Sequence, residues 1–253
     1  MTFGSVFAGI GGFDLGFETA GHKCKWQIEN DPYCNKVLTR HWPNVKRYGD
    51  VREIDGTKLE RVDIICGGDP CQENSNARQG IQARYISLGQ EFIRLVDENR
   101  PRFVVRENPT ATRADAPWPW WRFRSELERL DYLVIPFRLR ACCFGFDHRR
   151  DRLFLLAVKA DSVPKGLQGD EFKEMAGTRG EGLCDVARRD RRNPSPRICR
   201  GIDGIPHRVD RLRGLGNAVI PAIAEFVGRM LNEDTREVGP KSAHKDTANQ
   251  KRW

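Results

Sequence analysis

Short apolar runs alternate with amphipathic stretches through the first 158 residues. Ser5–Phe7 ends a first strand, glycines 9, 11 and 12 break it, and Phe13–Ala20 has helical spacing that stops at Gly21. Lys25–Glu29 reads as a second strand, and Pro32 opens the next helix where a missing N–H costs nothing. A short third strand fits before Asp50, and Val62–Cys66 is a clear fourth. Glu91–Val96 and Trp121–Leu130 are helical, whereas Phe103–Arg106, Leu133–Phe137 and Leu153–Ala157 are strands. Parallel strands need crossover helices, so this order predicts an α/β fold, a mostly parallel sheet with helices on both faces.

The pattern then weakens. Residues 160–206 are rich in Gly, Arg, Asp and Pro, with little apolar period, and predict either a small loop-built module or a flexible insert. Helical spacing returns after 207, strongest over Ile220–Leu231, and residues 234–253 are polar enough to predict a disordered tail. A chain of 253 residues suffices for one sizeable domain and an appendage. No apolar run reaches the length of a membrane span, and Met1–Phe7 lacks a signal-peptide layout, so a cytoplasmic location is expected.

Charge adds a partner class. The net charge is +8, with arginines crowding the second half, as in Arg188-Arg189-Asp190-Arg191-Arg192. That balance suits either a polyanion partner or a solvated surface. Eight cysteines contain no Cys-x-x-Cys pair and only five histidines accompany them, so no metal site is expected.

Five short motifs carry candidate chemistry. Phe7-Ala-Gly9-Ile-Gly11-Gly12 joins a strand to a helix N-terminus, which is either a tight turn or a place where a ligand meets the backbone. Glu29 ends the second strand, where an acid can take ribose hydroxyls. Asp50 could meet an adenine amino group or simply cap a turn. Gly67-Gly-Asp69-Pro70-Cys71-Gln72 follows a strand directly; a cysteine in such a polar loop, fixed by proline, is a candidate nucleophile. Glu107 in Arg106-Glu107-Asn108-Pro109 is either a solvated strand-end acid or a proton donor facing the same cleft. Arg150 and Arg152 enter a strand on one face and could meet a base carbonyl or a phosphate, whereas Arg149 reads as surface charge. Gly216-Asn217-Ala218-Val219 opens the last helix, as a cap or as a closure over a ligand.

In this order the motifs resemble the cytosine-5 DNA methyltransferase family, over residues 3–158 and 203–232. The resemblance implies a Rossmann-like mixed sheet plus a small loop-rich recognition module. It divides the chain into a catalytic domain at 1–159, a short target-recognition region at 160–206, a helical segment at 207–233 returning to the catalytic domain, and a tail at 234–253. Cys71 would add to C6 of cytosine, Glu107 would engage ring N3, Asn108 would support that loop, and Arg152 would hold the base with Arg150 beside it. Phe7, Gly9, Gly11, Gly12, Glu29, Asn30, Asp50, Val51, Pro70, Asn217 and Ala218 would line an S-adenosylmethionine pocket. The expected partner is duplex DNA with the target cytosine flipped out, met by a monomer, with a partner nuclease left open. A module this short implies a short or loosely specified site.

The chain departs from the family pattern beside Cys71. Asp69 replaces an aromatic residue, and its charge is expected to raise the thiol pKa unless a cation such as Arg78 offsets it. Asn30 stands where some members carry an adenine-stacking aromatic, and Asp147-His148 replaces Pro-Gln. These departures motivate two rivals. One is the same machinery acting on RNA, on a modified base or with an altered methionine-derived donor. The other is a catalytically silent DNA-binding protein.

Overall fold

The computed structural model describes residues 1–70, 88–109, 119–146, 150–162 and 218–234. The strands are β1 (Thr2–Val6), β2 (Lys23–Ile28), β3 (Lys46–Tyr48), β4 (Ile64–Gly67), β5 (Phe103–Pro109), β6 (Tyr132–Arg140) and β7 (Asp151–Lys159). They form one sheet in the order β3-β2-β1-β4-β5-β7-β6. The first five pair in parallel, and β7 lies antiparallel to both β5 and β6. Pro136 is tolerated within β6 because that strand is an edge, where a missing N–H need not break a ladder.

The helices are α1 (Gly12–Thr19), α2 (Pro32–His41), α3 (Leu88–Asn99), α4 (Trp120–Arg129) and α5 (Pro221–Asp234). Pro32 does open α2, behind an Asp31 cap whose carboxylate accepts from the amides of Tyr33 (2.9 Å) and Cys34 (3.0 Å). Successive side chains on each central strand enter opposite cores. Val6, Ile65, Val104 and Leu155 pack with Phe92 of α3 and Phe123 of α4. Phe3, Ile64, Cys66, Phe103, Val105, Phe154 and Leu156 pack with Phe17 of α1 and Ile223 and Val227 of α5.

The seam between α1 and α5 joins distant parts of the chain. A Cβ on Gly12 would stand 2.2 Å from the Val219 carbonyl oxygen, so only glycine allows that approach. A His22 ring nitrogen meets the Gly228 carbonyl at 2.9 Å, and Asn232 Nδ2 donates to the Ala20 carbonyl at 2.8 Å. The expected recognition region, with its arginine cluster at 188–192, lies outside the described residues except for 160–162, as does the tail from 235.

The parallel register brings the expected motifs to one edge. Val6 pairs with both Ile28 and Gly67, Ile28 with Tyr48, and Gly67 with Arg106. The segments after β1, β2, β3, β4 and β5 therefore all emerge together. β7 runs the opposite way and places Arg152 beside Pro109. The strand order reverses between β1 and β4, the place where open α/β sheets form ligand crevices.

Candidate active site

Glu107 is the buried acid of this edge. Burial pushes its carboxyl up to about 6, against the pull of Arg152 and then Arg150. Arg152 Nε stands 2.7 Å from Glu107 Oε1. The contact lies off the N–H direction, so it is a charge pairing, and Oε1 has no hydrogen bond among the described residues. The other oxygen rests on Gly68, where a Cβ would stand 3.0 Å from it. Arg150 Nη2 donates to the Ala218 carbonyl at 2.7 Å, linking the start of β7 to the approach to α5. Burial, then repulsion from Arg152, pulls the Arg150 pKa down. The expectation puts Arg152 on the base or a phosphate with Arg150 beside it; here Arg152 pairs with Glu107 and Arg150 donates to a backbone carbonyl.

Asp69 has an offsetting cation among the described residues, which the expectation leaves open. Its carboxylate is held by Arg106, from Nε to Oδ1 at 2.5 Å and from Nη2 to Oδ2 at 2.8 Å, and by Asn108 Nδ2 at 2.7 Å. The compensating cation is therefore on β5, whereas Arg78 lies outside the described residues. Asn108 supports the end of the β4 loop through that same carboxylate. The pair is nearly closed to solvent, with side-chain exposures of 3% for Arg106 and 9% for Asp69. Pro70 is exposed, and Cys71 lies outside the described residues.

The three glycines of the turn stand in different surroundings. Gly9, at φ +57, faces open space, as a ligand-facing glycine should. Gly11 and Gly12 do not. Gly11 caps α1 at φ +87 under the Trp42 ring, 2.4 Å from where a Cβ would stand, and Gly12 is covered by Val219. Phe7 adopts φ 55, a backbone strain that non-glycine residues seldom carry away from functional turns, while its ring packs on Phe92. Glu29 ties the crevice together: Oε2 accepts from Gly9 N and Oε1 from Asp31 N, both at 2.7 Å. Asp50 caps the turn Val51–Glu53 and grips Arg52, whose hydrogen bonds hold the carboxyl down at about 2. Val51 is buried in the α3-side core. Asn30 is exposed, Ala218 is half-buried, and Asn217 lies outside the described residues.

Sequence reasoning missed Asp14. It is fully buried, accepting from Gln27 Nε2 (2.8 Å), Ser5 Oγ (3.1 Å) and Cys24 Sγ (3.5 Å), and burial raises its pKa. Among the described residues no three His, Cys, Asp or Glu side chains form a metal-binding group, and no helix is long and apolar enough to cross a membrane.

The strand order, the crevice at its reversal and the buried acid beside two arginines define a Rossmann-like methyltransferase fold. The chain belongs to the C-5 cytosine-specific DNA methylase family, whose model matches residues 1–193. It is 34% identical over 160 residues to the type II methyltransferase M2.BsuMI of Bacillus subtilis, covering 60% of this chain and 41% of that protein. With M.HhaI of Haemophilus parahaemolyticus the identity is 27%, covering 64% of this chain and 50% of that one. A DNA modification methyltransferase candidate from an E. coli prophage superposes with a TM-score of 0.55 at 25% identity, over 68% of this chain and 49% of its own. The Dnmt2 methyltransferase of S. pombe shares the fold, with a TM-score of 0.51 at 16% identity over 63% of this chain and 51% of that one. The chain thus spans about half, or less, of the length of these relatives.

Proposed function

We propose that the protein methylates C5 of cytosine in DNA, using Cys71 as nucleophile and S-adenosylmethionine as donor. The observation that carries the reading is Glu107, a buried carboxyl titrating near neutrality, with one oxygen lacking a hydrogen bond among the described residues, at the strand edge from which the Pro70–Cys71 loop leaves. Such a group can give a proton or a hydrogen bond to ring N3 as the Cys71 thiolate adds to C6. That addition makes C5 electron-rich. Loss of the C5 proton after methylation then expels the Cys71 sulfur and restores the ring. Arg152 keeps Glu107 in place and limits the rise of its pKa, and is the arginine nearest to hand for the base carbonyl. The base must leave the duplex to reach this edge, so base flipping belongs to the proposal.

The residues of the crevice fit an adenosyl ligand. Open space at Gly9 admits close backbone approach, and each Glu29 oxygen keeps a lone pair for a ribose hydroxyl. Asp50, the Val51 backbone, Asn217 and Ala218 would complete the binding set. S-adenosylmethionine, when bound, presents its sulfonium methyl group as the electrophile. The bacterial relatives make a cytoplasmic setting part of the same proposal.

Covalent trapping tests the reading. Duplex DNA containing 5-fluorocytosine should form a stable adduct with the wild type and donor, and none with Cys71→Ala. Mass spectrometry of nucleosides from treated DNA should show 5-methylcytosine. Transfer to RNA alone, or of a group other than methyl, would replace this substrate or donor. Absence of any adduct and any transfer, with DNA bound, would leave the silent DNA-binding reading.

A further inference from the structure

We infer that Asp69 and Arg106 form a buried positioning pair, which clamps the end of β4 to β5 and sets the charge that Glu107 experiences. The inference rests on the reading of Glu107 as the acid of the site. Its argument begins with geometry. Asp69 is two residues past the end of β4, and Arg106 lies within β5 beside Gly67 in the register. Their contact is bidentate, the arrangement in which a guanidinium fixes the orientation of a carboxylate as well as its distance. Asn108 adds a third donor from the same strand and the same face. The Arg106 guanidinium also stacks on Phe123 of α4, 4.2 Å from the ring centre, so both strands are tied to the helix layer. An aromatic residue at 69 would fill the place without a charge; here acid and base fill it together.

The consequence reaches Glu107. Asp69 raises its pKa and Arg106 lowers it, so the two act on Glu107 in opposite directions. Gly68, which joins Asp69 to β4, is the residue on which Glu107 Oε2 rests. A pair that holds residues 68 and 69 therefore also holds the floor under the acid. Cys71 follows two residues later in the chain, so the clamp is the last described anchor before the nucleophile.

Three proteins test this: Asp69→Asn, Arg106→Met, and the two together. The readouts are thermal melting, the Glu107 titration followed by carboxyl NMR against a Glu107→Gln reference, and the pH profile of single-turnover transfer to cytosine DNA. Asp69→Asn leaves Arg106 uncompensated, so Glu107 should titrate lower by about one pH unit, and the matching limb of the profile should move with it. The double variant should return the titration toward that of the wild type and melt higher than the sum of the two single losses predicts. Should either single variant fail to fold, folding of the double still supports the coupling, and a double that also fails to fold overturns it. An unmoved Glu107 titration in Asp69→Asn, or strictly additive melting losses, likewise overturns the inference. The NMR titration needs no turnover. A wild type that transfers no methyl would therefore end the proposed function while leaving this pair on trial.

Discussion

Glu107 with Arg152 and Asp69 with Arg106 both stand at the end of β5, on opposite faces of the sheet, and the chemistry of the two pairs differs. The first meets off the N–H direction and leaves an oxygen without a hydrogen bond among the described residues; the second meets along two N–H directions and gains an amide donor. In the first, burial wins over the arginines and the acid titrates at about 6. A loosely satisfied buried carboxyl is costly in stability and useful in proton transfer. A carboxylate that accepts from three donors is suited to holding geometry, although its partner Arg106 keeps one buried nitrogen, Nη1, without a hydrogen bond among the described residues.

That contrast can be broken in several places. Glu107→Gln should lower the single-turnover methyl-transfer rate by about 10²–10⁴-fold while the Asp69 pair stays intact, as expected for loss of a general acid. A loss below tenfold would move the chemistry away from Glu107. Gly68→Ala pushes on the Glu107 carboxylate and should cost about 10–100-fold in the same assay, since small misplacements of a catalytic group are expensive. A crystal structure of that variant with Glu107 unmoved would contradict the cause.

Stability gives the next effect. The unfolded chain ionises Glu107 from about 4.5, whereas the folded protein keeps the proton until about 6. Folded protein therefore binds the extra proton in that window. Stability falls as pH rises through it, and above it the whole cost, about 2 kcal/mol, is present. Denaturant titrations from pH 4 to pH 8 should show a decline that is shallower in Glu107→Gln, where the contribution of buried Asp14 remains; an equal decline in both would place the titrating group elsewhere. The smallest effect belongs to a third pair, Asp50 with Arg52, which is open to water. Arg52→Ala should leave the melting temperature unchanged within error, because exposed pairs gain little. A clear loss there would mean that exposure is not what separates these pairs.

Much of this edge could be read from local pattern. The apolar runs of β4 and β5, Pro32 at the start of α2, and the placement of Glu29 and Glu107 at strand ends all follow from short-range periodicity and turn chemistry. What could not be read depends on contacts between distant residues. Asp69 looks like an uncompensated charge until β4 and β5 lie side by side and bring Arg106 to it. Asp14 looks like the polar face of α1, yet it is fully buried while its neighbour Leu15 is 50% exposed. Its acceptor bonds come from β1 and β2, which no helical period reveals. Gly11 and Gly12 share a motif with Gly9, but Trp42 and Val219 cover them, and only the packed structure separates a glycine facing open space from one facing its own chain.

The seam between α1 and α5 has an implication for how the polypeptide can be divided. Among the described residues, all the strands lie before residue 163, and the piece that seals α1 comes after 217. Ile223, Ala224, Val227 and Leu231 make the apolar side of that piece, and the His22 and Asn232 hydrogen bonds fix its height along α1. A gene cut between these points encodes two fragments with a preformed reason to reassociate, so fragment complementation could restore the fold only where both halves are made.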